Sequence, residues 1–417
     1  MTGYLDKRLF ANAIGNINKV YSGATAKISP DARIQLDIVA MGLLRKITTS
    51  CHNSTHFASR SVITHRTIIK ALGEMCTPEI RDNMDKAVEI AIETYLHRRG
   101  PSRQANITSM TVSNRPSGKC DEQPYNDTSS RHTSIRLAAG LLISPSACKK
   151  IVACRLSSIQ VTTVASVSLA AFIEYIIGLF VKAAGELVRA SGSIVHTRHL
   201  VSAIGQDGIL RDFVVKHNIY FCGAGIAILS AHGTLREPSE KPLLSYKKMR
   251  SIIFSILGQP EESAIIYKLS HSAVIDLFSF VEARVINILR DVVEIVWRLR
   301  GKKYITPLHV RYVAEAKGIV IREASSPLRR NTAKTFLEIA GSDAVAKTTY
   351  GESVEAIISS LIEFECTRIL DKAIAAMDYS SRTILKPKFI REGGLNSDFI
   401  ICSYVRPTRT LVSTTSI

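Results

Sequence analysis

Apolar residues along this chain gather into long stripes separated by short polar breaks. Four amphipathic stretches dominate, at about 30–57, 164–190, 270–299 and 350–377. In the second, Leu169, Phe172, Ile173, Ile176, Phe180 and Ala183 recur at three-and-four spacing, one stripe of a helix. Val274, Leu277, Val281, Val285, Ile288 and Val292 do the same in the third. These runs are more than twice the average helix length of about 11 to 12 residues.

After each long stretch comes a basic or small polar turn, a short β-like patch and another helical stretch. The four versions read SRSVITHRTIIKAL, GSIVHTRHLVSAI, GKKYITPLHVRYVA and SSRTILKPKFI. In each, a hydroxyl lies where it can cap the following helix. The repeat is degenerate and unevenly spaced, so it is not a solenoid period. Its unit is short helix, long helix, short helix. One such unit cannot bury the stripe of its long helix, whereas two units crossed head to tail bury both. The expectation is an all-α chain of four tandem units arranged as two intramolecular pairs.

One stretch breaks this order. HRRGPSRQANITSMTVSNRPSGKCDEQPYNDTSSRHT is polar and rich in Pro, Gly, Ser and Asn, and reads as a linker. Shorter breaks fall at GTLREPSEKPLLS and REASSPLRRNT. The expected segments are 1–98, a linker at 99–133, then 134–232, 233–322 and 323–417.

Charge points to a partner. The 417 residues carry 54 Lys and Arg against 36 Asp and Glu, a net charge of +18 with a pI near 9.6. A surplus of that size suits a polyanion, either nucleic acid or an anionic membrane surface. With 46% hydrophobic and 22% charged residues, disorder along the whole length is excluded. SVSLAAFIEYIIGLFVKAAGELV carries Glu174 and Lys182, and IYFCGAGIAILSA is too short to span, so no membrane segment is expected. The N-terminal MTGYLDKRLF lacks the apolar core of a signal peptide.

Signatures of chemistry are few. The eight cysteines form no CxxC pair, which suits reduced and mostly buried thiols. His52 and His56 share a helix face beside Cys51, and His196 and His199 lie close together, but no fourth ligand frames either set. GAGIAI lacks the third glycine of a dinucleotide loop, GKKYIT lacks the upstream glycine of a phosphate loop, and no GxSxG occurs. Neither metal nor cofactor is expected, and no enzymatic activity.

The residues resemble the core histones, in the order two-B, two-A, three and four. From Ile28 to Tyr95 the chain looks co-linear with histone two-B through ISPDA, HFASRSVITHRTIIKAL and PEI. VSLAAFIEYI, AAGELVRA and RHLVSAIGQD resemble histone two-A, and NIYFCGAGIAIL its docking segment. KLSHSAVIDLFSFVEA and KKYITPLHVRYVAEAKG resemble histone three; FLEIAGSDAVAK, ILDKAIAAMD and SRTILKPKF resemble histone four. Fusions of all four core histones are similar to those encoded by giant DNA viruses. The resemblance implies four histone folds that pair within one chain. Two copies would then form an octamer-like spool for double-stranded DNA in a virion, a host nucleus or a cytoplasmic viral factory.

That resemblance also implies where DNA binds. Wrapping of this kind reads no bases; Arg or Lys enters the minor groove and helix N-termini hold phosphates. The loop residues expected to do so are Arg60, Ser61 and Thr64, then Arg198, then Lys268, Lys302, Lys303 and Thr306, and finally Lys347, Arg382 and Thr383. Arg136, Lys149, Lys150 and Arg155 flank the first helix of the second segment, and Lys247, Lys248 and Arg250 precede the third; a solvated helix face explains either cluster nearly as well. Ser193 and Ile194 stand where a groove-inserting Arg is expected.

Of the two-A acidic patch, Glu174 and Asp207 remain, while Leu179, Lys182, Gly208 and Ile209 stand where acids are expected. Chromatin factors that use that patch should therefore bind poorly. Self-association through the third segment would involve Trp297, Arg298 and His309. A histone-fold scaffold for protein partners, with incidental DNA contact, is the alternative reading.

Overall fold

The computed structural model describes residues 10–21, 27–57, 62–99, 134–156, 159–189, 194–223, 225–226, 243–258, 267–299, 304–321, 328–341, 349–351 and 353–402. The described residues are all-α apart from short strands. Four long helices dominate: α2 (Pro30–Phe57), α7 (Thr163–Arg189), α11 (His271–Arg298) and α14 (Val354–Tyr379). Each follows the apolar stripe read from the sequence.

Shorter helices surround them. α1 (Ala11–Tyr21) precedes α2, and α3 (His65–Met75) and α4 (Pro78–Arg99) follow it. The second segment has α5 (Ile135–Ala138) and α6 (Pro145–Arg155) before α7, then α8 (Thr197–Gln206) and α9 (Gly208–Lys216). α10 (Tyr246–Ile256) and α12 (Pro307–Ala316) flank α11, as α13 (Arg330–Ala340) and α15 (Pro387–Leu395) flank α14.

The β-like patches are two-residue strands at the ends of the long helices. β1 (Lys27–Ile28) and β2 (Val62–Ile63) bracket α2; β3 (Gln160–Val161) and β4 (Ile194–Val195) bracket α7. β1 pairs with β4 and β2 with β3, both parallel, so the strand entering one long helix joins the strand leaving the other. The later half repeats this. β7 (Lys268–Leu269) and β8 (Tyr304–Ile305) bracket α11, while β9 (Thr349–Tyr350) and β10 (Ile384–Leu385) bracket α14. β7 pairs with β10 and β8 with β9, again parallel. A further strand, β5 (Ile219–Gly223), turns into β6 (Gly225–Ile226) and pairs in parallel with β11 (Ile400–Cys402).

The described residues form two compact units, one within Leu9–Ala24 and Leu43–Lys182, the other within Thr25–Gly42 and Ala183–Ile417. They do not follow the four sequence segments, because each end of a long helix pairs with strands from another segment.

In the first unit Phe10, Ile14, Leu44, Leu72 and Phe172 are buried. α1 lies so close to α7 that a Cβ on Gly178 would fall 2.8 Å from the Tyr21 ring. In the second, Phe278, Phe280, Phe336 and Phe389 belong to one continuous core. There a Cβ on Gly393 would stand 2.5 Å from the Ile369 carbonyl oxygen, so α15 packs backbone to backbone against α14. Among the described residues one segment, Thr163–Val188, is long and apolar enough to cross a membrane, and 83% of its apolar window is buried inside the protein.

The caps differ from expectation in two segments. Thr64 accepts the Thr67 amide and Thr306 the His309 amide, so hydroxyls do cap α3 and α12. In the second segment Thr197 lies inside the helix and His196 is the N-cap of α8. In the fourth, Thr383 stands before β10 and Lys386 is the N-cap of α15, with no side-chain cap bond. Cys51, Cys76, Cys148, Cys366 and Cys402 are buried thiols, and Cys154 is exposed.

Candidate nucleic-acid interface

Each paired-strand junction joins two loops distant in sequence to the first turn of the next helix. At the β7–β10 junction the Lys268 amide donates to the Thr383 carbonyl at 2.8 Å, and the Ser270 amide to the Leu385 carbonyl at 3.0 Å. These bonds fix Lys268 beside Arg382, Thr383 and Lys386, all four exposed. At the β1–β4 junction the Ser29 amide donates to the Val195 carbonyl at 2.9 Å. Lys27 and Arg198 are exposed there.

At the β2–β3 junction Thr64 is half-buried and the neighbouring Arg66 exposed. His65 Nδ1 lies 3.1 Å from Ser168 Oγ. Thr306 occupies the matching place after β8, where its Oγ1 accepts the His309 amide at 3.4 Å and the Thr306 amide donates to His309 Nδ1 at 3.1 Å. Arg60, Ser61, Lys302, Lys303 and Lys347 lie outside the described residues, as do Ser193 and most of the 99–133 linker.

The remaining basic candidates stand away from the junctions. Arg136 is exposed on α5, and Lys149 and Lys150 are exposed on α6. Lys247 is exposed and Lys248 half-buried in the first turn of α10, where Ser245 caps the helix through the Lys248 amide. Arg250 lies over the Phe254 ring.

The two acids left from the expected patch are both engaged within the chain. Glu174 Oε2 accepts the Leu142 and Ile143 amides at 2.7 and 3.0 Å, and burial pushes its carboxyl up. Asp207 caps α9 by accepting the Ile209 and Leu210 amides.

A hidden repeat explains Glu174. It is the twelfth residue of α7, as Glu282 is of α11 and Glu365 of α14. Glu282, fully buried, accepts the Leu244 amide at 3.0 Å, and its carboxyl is pushed up to about 7 by burial despite that bond and one from Leu243. Glu365, also fully buried, pairs with Arg284 at 3.2 Å. Aligning the last three long helices on their first residues brings these acids to one position, where α2 has Met41.

The three residues expected for self-association stand in different surroundings. Trp297 is 57% exposed, with Leu308 at 73% and Tyr312 at 66% on α12. Arg298 instead bonds Glu294 one turn back on its own helix, and His309 closes the cap of α12. The exposed Leu308 and Tyr312 were not singled out in the sequence, nor were Lys27 and Lys386, whose loops reach a junction only through pairing across more than a hundred residues.

Among the described residues no group of three or more His, Cys, Asp or Glu side chains could hold a metal ion. No family model matches the chain, and no curated protein matches it.

Proposed function

We propose that the chain packages double-stranded DNA without base specificity, as four histone folds in two intramolecular crossed pairs. The observation that carries this reading is the repeated strand exchange, β1 with β4 and β2 with β3, then β7 with β10 and β8 with β9. Such an exchange buries both apolar stripes and puts two loops and a helix N-terminus together at each junction. Loops of that kind, with exposed Lys268, Arg382 and Lys386 at one junction and Lys27 and Arg198 at another, suit phosphates spaced along a duplex. The net charge of +18 supports the same partner.

Two chains make the particle in this reading, meeting through the exposed Trp297, Leu308 and Tyr312. The engaged Glu174 and Asp207 leave little acid for basic docking peptides. The chain acts without catalysis or cofactor, on viral DNA in a virion, nucleus or cytoplasmic factory.

Reconstitution on long DNA followed by micrococcal nuclease digestion tests this directly. A discrete protected length near or somewhat below the ~146–147 bp of a histone octamer is expected. A smear at every protein ratio would overturn the packaging reading and leave a scaffold for protein partners.

A further inference from the structure

The last described strand, β11, lies in an unbroken apolar run: Phe399, Ile400, Ile401 and Cys402 are all buried. A strand with one wet face would alternate apolar and polar residues, so both faces here are covered. Different parts of the chain cover them. The Phe399 ring lies between two guanidinium groups, Arg284 of α11 at 5.1 Å and Arg368 of α14 at 4.8 Å, and meets Phe280 of α11 at 5.0 Å. Ile401 presses on Gly394 of α15, where a Cβ would stand 2.6 Å from its side chain. These contacts belong to the third and fourth segments.

Ile400 and Cys402 stand on the opposite face. A Cβ on Gly42 of α2 would fall 2.8 Å from Ile400, and the Cys402 thiol donates to the Gln35 carbonyl at 3.8 Å. The first segment therefore covers that face. The second segment holds the strand's edge, since β5 pairs with β11 in parallel register. Tyr220 of β5 meets the Phe399 ring edge-on at 5.9 Å, and its hydroxyl accepts from Arg284 at 3.4 Å. Entry into the pair is fixed as well. Asn218 and Asp398 both take left-handed backbone, with φ of 50° and 67°, which Asn and Asp tolerate better than most residues. The Asn218 carbonyl accepts the Ile400 amide at 2.9 Å, and its side-chain amide donates to Asp398 at 3.5 Å.

We propose that β11 is an internal clasp. Within the second compact unit it ties the first and second segments, through α2 and β5, to the third and fourth. One chain thereby holds parts of all four segments together before it meets DNA or a second copy. Its own strand fills the place beside β5, so that edge is closed to strands from other chains. The clasp needs no nucleic acid, and its test uses none.

Native-state hydrogen exchange on the full chain resolves the segments that open together. In wild type the amides of β5, β11 and residues 35–42 of α2 should share one protection level. Phe399→Ala should speed exchange in all three stretches, on the order of a hundredfold, while the middle of α14 keeps its protection. Phe399→Leu should restore most of the loss. Gly42→Ala approaches from the other face. Alanine suits a helix interior better than glycine, yet its Cβ displaces Ile400. That variant should also speed exchange at β5 and β11, although it alters neither strand. Alkylation of Cys402, read by mass spectrometry, should follow the same order.

Faster exchange confined to β11, with β5 and residues 35–42 unchanged, would make the strand a packed end and overturn the clasp. Equal losses through α14 in both alanine variants would overturn it too, since nothing would then open separately. Should Phe399→Ala fail to fold, Gly42→Ala decides.

Discussion

The two sets of strand exchange share one pairing pattern and charge it differently. At β7–β10 the exposed cations are Lys268, Arg382 and Lys386, with no imidazole among them. At the matching β1–β4 junction Lys27 and Arg198 are exposed beside the rings of His196 and His199. The interiors differ as well. Glu174 in α7 is half-buried, whereas Glu282 at the same place in α11 is fully buried. One strand exchange thus tolerates either kind of junction and either degree of internal desolvation, because the apolar stripes do the folding.

The largest expected effect tests the interiors. Folding raises the Glu282 carboxyl to about 7, so it favours the protonated form. That contribution is fully present below the unfolded pKa and is lost as pH rises through the folded one. Above neutrality Glu282→Gln should therefore be more stable than wild type by up to roughly 3 kcal/mol, with the gap closing near the unfolded carboxyl's pKa of about 4.3. Urea unfolding at both pH values measures it. Glu174→Gln should shift stability in the same direction by less. A pH-independent gap at Glu282 would mean that its carboxylate is satisfied by more than the loop amides.

Removing permanent charge at the other junction comes next. Lys268→Ala, Arg382→Ala and Lys386→Ala together should flatten the salt slope of DNA binding by nearly 3, about 0.9 for each phosphate released. An unaltered slope would remove the β7–β10 junction from the interface.

The caps supply the smallest effect. Thr306→Ala should cost about 1 kcal/mol, since it frees an amide that a hydroxyl now holds. Lys386→Ala, which removes no cap bond, should cost much less in the same thermal melts. Equal losses would show that the helix N-terminus matters less to α12 than its packing.

The long helices were legible because a three-and-four apolar stripe over more than twenty residues fits neither a strand nor a loop. The hydroxyl caps at Thr64 and Thr306 were legible for a similar reason, since Ser and Thr favour that place. His196 and Lys386 are poor N-cap residues, so no side-chain preference marks the start of α8 or α15. Glu174 was read as surface acid because a lone carboxylate in a stripe carries no mark of which loop folds over it. At β7–β10 Lys268 and Arg382 were both read as basic loop residues but not as neighbours, and Lys386 was missed; at β1–β4 Arg198 was read and Lys27 was not. Pairing across such distances leaves no local signature.

That distance has a consequence for how the chain comes into being. Lys27 finds its strand partner only at Ile194, and Lys268 only at Ile384. A growing polypeptide that has released α2 has nowhere to hide its stripe until α7 and β4 follow. Contacts so remote in sequence slow folding and expose apolar surface in the meantime. Carrying both partners on one polypeptide converts a meeting between molecules into a loop closure, at the effective concentration of a tether. The third segment then begins only after both partners of the β1–β4 pairing have been made.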